Sequence, residues 1–232
     1  MINRYSITAS ARELEEVFQI EGHPHYRPRY NAAPAQLMPV ITTGPARGLS
    51  WFYWGLPPDR SRNRPISEKF LFRKAADLAN KTGLRHLLQH NRCEVPADGI
   101  YIWKQLGRKT LVPHRVTSVS GRHFPIAGTW EEYESESGET HHTFSMVVVP
   151  APTGLSTLTE FIPLILSQEQ QAIWSAQDRP LKDLQELLHH PSYEPLTYHT
   201  VSPAIEDARL DLPALLQSTP PTDQFGNLTL FG

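Results

Sequence analysis

The chain has 232 residues, enough for one substantial domain and short for two. Hydrophobic residues make up 39% and charged residues 20%, a globular balance that excludes disorder throughout. A formal net charge of -2 excludes a domain that is basic overall, so any contact with nucleic acid has to come from a local patch.

Taken in chain order, Ser10-x-x-Glu13 forms a capping box ahead of Leu14, Val17 and Phe18, which predicts a short amphipathic helix over residues 10–20. A proline-rich stretch, HPHYRPRYNAAP, closes it. Strands are expected in PVITT and SWFYWGL, followed by a basic loop, PPDRSRNRPISEK, whose prolines and lack of period argue against regular structure. A second helix is expected in LRHLLQH. The stretches GIYIWK, TLVPHRV, FPIAGTWEE and TFSMVVVPA are strand-like, with β-branched and aromatic residues in alternation. Ser167-x-x-Gln170 caps a helix through Trp174, and Pro180 suits the first turn of another that carries Leu181, Leu184, Leu187 and Leu188. Many strands with a few interspersed helices give an α+β fold. The expected organisation is one domain over 1–216 and a C-terminal tail, 217–232, with room for a peripheral strand.

A single cysteine, Cys93, rules out an intrachain disulfide and favours a reducing compartment. The first twenty residues have no apolar core of a signal peptide, and no run approaches the ~20 apolar residues that span a bilayer. A cytoplasmic protein with no membrane partner is the expectation.

Six cations between Arg60 and Lys74 (Arg60, Arg62, Arg64, Lys69, Arg73, Lys74) face only Asp59 and Glu68 nearby, the best phosphate footprint in the chain; a solvated loop is the alternative reading. His86 and His90 fall on one helix face but lack a third ligand at metal-site spacing, and His141-His142 and His189-His190 are adjacent and point apart. No metal and no cofactor is expected. Glu131, Glu132, Glu134, Glu136 and Glu139 suit a solvated hairpin tip. Cys93 and Ser67 are the remaining nucleophiles of interest, neither with a base nearby in the sequence. There is no glycine-rich phosphate loop and no serine nucleophile elbow.

Six segments taken together resemble a known family. RYNAAP (29–34), WGLPP (54–58), RCEVPADGIYIWK (92–104), PIAGTWE (125–131), FIPLILS (161–167) and HTVSPAI (199–205) occur in the order expected of the SOS-response-associated peptidase-like (SRAP) family, and the likeness runs over nearly the whole chain. The resemblance implies a curved, mainly antiparallel, barrel-like core with flanking helices, and a relation to abasic sites in single-stranded DNA. The family's chemistry uses a Cys at position two, exposed by loss of the initiator Met, whose amine and thiol capture the abasic aldehyde as a thiazolidine.

This chain departs from that pattern at four positions. Ile2 stands where the Cys is expected, and its bulk hinders removal of Met1. Phe72 replaces an Asn, Ile102 replaces the Glu of ADGFYEW, and Thr159 replaces a His. No catalytic group is retained, so the resemblance implies a pseudoenzyme whose pocket is repaved by Phe72, Ile102 and Phe161. Arg4, Asn31, Pro34, Arg60, Arg62 and Lys74 are the expected contacts to single-stranded DNA, without the Trp that often follows WGLPP in this family. The alternative is a binding module for a protein or a non-nucleic-acid ligand that enters the apolar pocket.

Overall fold

The structure is a computed structural model; it describes all residues except 1, 22, 44–46, 62–65, 136–137, 194 and 230–232. In chain order the elements are β1 (Ile2–Ile7), α1 (Ala11–Phe18), β2 (Arg29–Ala32), β3 (Leu37–Thr42), β4 (Leu49–Trp54), α2 (Pro58–Ser61), α3 (Glu68–Leu71), β5 (Phe72–Lys74), α4 (Ala75–Asn80), α5 (Arg85–His90), β6 (Arg92–Ala97) and β7 (Gly99–Leu106). There follow β8 (Thr110–Ser118), β9 (Phe124–Glu134), β10 (Thr140–Pro150), β11 (Phe161–Pro163), α6 (Gln168–Ser175), α7 (Leu181–His189) and β12 (Leu196–Thr200), with short 3-10 turns at Thr82–Leu84, Pro203–Glu206 and Pro213–Leu216.

The fold is α+β. Strands β10, β4, β3, β6 and β9 form a ring, because β9 pairs with both β6 and β10; β5 and β11 extend the sheet along the second half of β10. All the pairings around the ring are antiparallel except β4 with β10. A second sheet runs β12-β8-β7-β1-β2. Strand alternation explains how it is held. On β7, Ile100 and Ile102 enter the main core, while Tyr101 and Trp103 turn to the opposite face and pack with Val201, Ile205 and Leu215 from the C-terminal segment. Gly99 opens that strand because a Cβ there would meet the Arg115 guanidinium at 2.5 Å.

Both capping boxes form. Ser10 and Glu13 exchange hydrogen bonds at the start of α1, and Ser167 and Gln170 do the same for α6. The basic loop after β4 is corrected: it contains helix α2 and leads directly into α3. Pro58 occupies the first helical position, where its missing N–H costs nothing, and Ser67 is extended just before Glu68. Arg62 and Arg64 lie outside the described residues.

Arg92 ties the helical layer to the ring. It is fully buried, with no carboxylate partner among the described residues, and its guanidinium donates to the carbonyls of Leu88 (2.6 Å), Gln89 (2.7 Å), Trp174 (2.8 Å), Ala176 (2.6 Å) and, at 3.4 Å, Gln177. Those oxygens belong to the C-terminal ends of α5 and α6, where carbonyls lack helical partners and the helix dipole favours a cation. Burial lowers its pKa to about 10, so it stays charged at neutral pH.

The C-terminal segment stitches onto the second sheet. Asp211 accepts from the backbone amides of Tyr30 (2.7 Å) and Asn31 (2.9 Å) and from Arg29 Nε (2.6 Å), covering the free edge of β2. Farther on, Ser218 bridges to Val201, and Gln224 exchanges hydrogen bonds with the backbone of Leu111.

Candidate nucleic-acid groove

A groove of about 1380 Å³ opens between α3, β5, α4, the β7–β8 hairpin and the start of β11. Three of the four positions singled out from the sequence meet on its walls: Ile2, Phe72 and Thr159. The fourth is corrected. Ile102 is fully buried in the main core and lies behind Ile2, which is its cross-strand partner, so it supports the wall without lining it.

A bulge puts Ile2 there. Ile2 faces Ile102, yet Arg4 faces Tyr101, so Asn3 is an extra residue on β1. Regular alternation would place Ile2 with Arg4 and away from Tyr5 and Ile7. With the bulge, Ile2, Tyr5 and Ile7 all join the main core. Arg4 then turns to the other face, where it donates to the carbonyls of Glu206 (2.9 Å) and Asn3 (2.7 Å). Desolvation lowers the Arg4 pKa, opposed by Glu206 and Asp207.

Phe72 begins β5, which runs parallel to β10, and its ring meets Trp54 edge-on at 6.0 Å. On the other side of β10, Phe161 starts β11. The Lys74 ammonium sits 4.4 Å from the centre of the Phe161 ring and joins the two walls. Thr159 is no free hydroxyl: its Oγ1 donates to the Phe161 carbonyl at 3.0 Å. Trp103, only 6% exposed, closes the floor together with Leu111, Val148 and Leu158. The described lining contains no Cys, His or Ser.

Six cations reach the groove: Lys69, Arg73, Lys74, Lys81, Arg108 and Lys109. Arg73 pairs with Glu131 and Lys81 with Asp77. Lys69, Lys74, Arg108 and Lys109 make no ion pair among the described residues, while Glu68, Glu160 and Glu206 also border the groove.

Of the DNA contacts expected from the sequence that fall among the described residues, Lys74 lines the groove, and Arg4 bonds to the carbonyls of Asn3 and Glu206, which also line it. Arg60 stacks 4.2 Å over the Tyr133 ring and donates to its hydroxyl, tying α2 to β9. Asn31 is fully buried, and its amide donates to the carbonyls of Asp207 (3.0 Å) and Leu210 (2.8 Å). Pro34 is half-buried in the turn between β2 and β3. Lys69 and Arg73 belong to the basic run singled out in the sequence, whereas Lys81, Arg108 and Lys109 were missed. Arg108 and Lys109 follow Gly107, whose φ of 67° marks the turn joining two strands.

The other nucleophiles and ligands fall elsewhere. Cys93 is fully buried, its pKa pushed up by desolvation, with Gly128 packed against the sulfur. Ser67 precedes α3 and makes no side-chain cap bond. The rings of His86 and His90 are 5.0 Å apart on α5. Among the described residues no group of three or more His, Cys, Asp and Glu could hold a metal ion, and no helix is long and apolar enough to cross a membrane.

A closed ring, a second sheet bearing residue 2 at the mouth of a groove, and the ordered segments around them define a known class. The chain belongs to the SOS response associated peptidase (SRAP) family, which it matches over residues 1–208. It is similar to the abasic site processing protein YoqW of Bacillus subtilis, 27% identical over 94% of this chain and 100% of that protein. It also resembles YobE of the same organism, 29% identical over 75% of this chain and 81% of that one. The abasic site processing protein HMCES of Xenopus tropicalis is 25% identical over 81% of this chain and 65% of its own length. Among solved structures, a Bacteroides thetaiotaomicron protein superposes with a TM-score of 0.77 at 20% identity, covering 93% of this chain and 99% of that one, a likeness of fold.

Proposed function

We propose that this SRAP protein binds single-stranded DNA along the groove without the family's covalent chemistry. The observation that carries the reading is the convergence of Ile2, Phe72 and Thr159 on one groove, with Ile102 sealed behind them. Aldehyde capture and its acid-base steps need a nucleophile and a proton carrier within hydrogen-bond reach of the reacting carbon. At the family's chemical positions, Ile2, Phe72 and Thr159, the wall supplies methyl groups, an aromatic ring and a hydroxyl already given to a carbonyl; the lysines and glutamates along the rest of the groove are not the family's nucleophile or proton carriers. What remains is suited to binding: four cations without ion-pair partners among the described residues, lining a groove of about 1380 Å³. The names of the relatives, abasic site processing proteins, support DNA as the ligand.

The test is anisotropy of labelled single-stranded oligonucleotides, intact and abasic, at low and moderate salt, with the same samples then run on denaturing gels. Binding that weakens with salt, with no denaturation-resistant band, is the expected result. A covalent band with the abasic strand would overturn the loss of chemistry. No binding at any salt would transfer the groove to an apolar ligand outside nucleic acids.

A further inference from the structure

The groove carries a preference for which part of a nucleic acid it holds. Its apolar side is partly aromatic and partly open: Phe72 and Phe161 are neither buried nor free, and each borders the cavity while anchored from behind, Phe72 by Trp54 and Phe161 by the β10–β11 pairing. Its polar side is cationic. Lys74 bridges the two, with its ammonium 4.4 Å from the Phe161 ring centre and its backbone two residues from Phe72. A ligand that satisfies both sides is flat and aromatic at one end and anionic at the other.

We infer that the groove binds nucleotides that still carry their bases, stacking a base on the Phe72 and Phe161 wall, and that it favours intact single strands over base-free ones. This deepens the DNA-binding reading and rests on it. A base-free sugar offers the Phe72 and Phe161 rings no aromatic face, and next to them Ile2 is a hydrocarbon and the Thr159 hydroxyl is already given to the Phe161 carbonyl. Losing the stacked base costs affinity that neither neighbour makes up. A base loses little on leaving water and gains an aromatic face, an exchange that is tolerant of sequence because every base has one. The phosphates are the same in either strand, so the cations do not discriminate between them.

The experiment uses the full chain and two oligonucleotides of equal length and charge: an intact eight-nucleotide strand, and one in which every sugar is a base-free tetrahydrofuran, which has no aldehyde to react. Anisotropy at one salt concentration is expected to show the intact strand bound about tenfold or more tighter, the size of one good stacking contact. Phe72→Leu and Phe161→Leu keep the wall apolar and of similar volume but remove the aromatic faces. Each is expected to shrink the ratio severalfold with an unchanged salt slope, and thermal melting of each variant confirms that it is folded. Equal affinity for the two strands, tighter binding of the base-free strand, or a ratio that survives both substitutions would overturn the inference while leaving DNA binding intact. Failure of both strands to bind would overturn the inference together with the reading beneath it.

Discussion

Ile2 and Ile102 face each other across β1 and β7, one on the wall of the groove and the other wholly enclosed behind it. A carboxylate at position 102 would be enclosed between Ile2 on β1 and His114 on β8, whose burial favours the neutral ring. Ile102→Glu is therefore expected to destabilise the fold by about 3 kcal/mol, the scale of an unpaired buried charge. Ile102→Val, which only trims a methylene, should cost about 1 kcal/mol. Urea denaturation of both variants checks the pair, and a glutamate tolerated as well as valine would contradict the enclosed position of this side chain.

His114 sets a pH dependence. It is 1% exposed, its Nδ1 lies 2.9 Å from the Val112 carbonyl, and its Nε2 has no partner among the described residues. Desolvation by burial lowers its pKa below the ordinary 6.5, outweighing the Val112 hydrogen bond. The unfolded chain then takes up a proton that the folded chain refuses, so stability is complete above pH 6.5 and falls as pH drops below it through the folded value. Urea midpoints measured across that window should decline in the parent and decline less in His114→Gln.

Arg92 offers a sharper contrast. Arg92→Leu keeps an apolar stem but orphans five carbonyls at two helix ends, with an expected cost of about 3–5 kcal/mol. Arg92→Lys keeps the charge, cannot reach both helix ends with a planar fork, and should fall between the two. Chemical denaturation ranks the three proteins.

The rim cations predict a salt response. Lys69, Arg108 and Lys109 are without ion-pair partners among the described residues. Each phosphate they neutralise contributes about 0.7 to the slope of log affinity against log salt for a single strand. The triple alanine variant is expected to lower that slope by about 2 and to weaken binding at low salt, with little change in melting temperature. An unchanged slope would place the phosphates elsewhere on the molecule.

What could be read from the residues followed local rules. Ser10 with Glu13 and Ser167 with Gln170 are three apart, and each box closes where the pattern placed it. The alternation of Ile100 to Trp103 likewise assigns each side chain its face. Hidden features depended on partners far away in the chain. Asn31 resembles a polar surface contact until Asp207 and Leu210, some 180 residues on, claim its amide. The extra residue at Asn3 has no composition signal, since a bulge is a matter of pairing register. Strand β5, three residues long, is too short to carry a period, and α2 was masked by prolines that in fact suit a first turn. Arg108 and Lys109 lie in a turn between two strands and become groove residues because the β7–β8 hairpin borders the same cavity as α4 and β5.

The single parallel seam of the ring, Tyr53 beside Thr143 and Trp54 beside Phe144, governs how this molecule can be born. During synthesis the β3–β4 hairpin can form at once, from residues close in sequence. The barrel cannot close until the ribosome has delivered β10, so the buried faces of Phe52 and Trp54 must wait through some ninety residues of translation. Non-local pairings of this kind are slow to find because the loop entropy is lost before the contacts repay it. Chains that end before residue 140 thus leave that aromatic surface without its strand partner, and only chains that have released residues 140–150 can bury it.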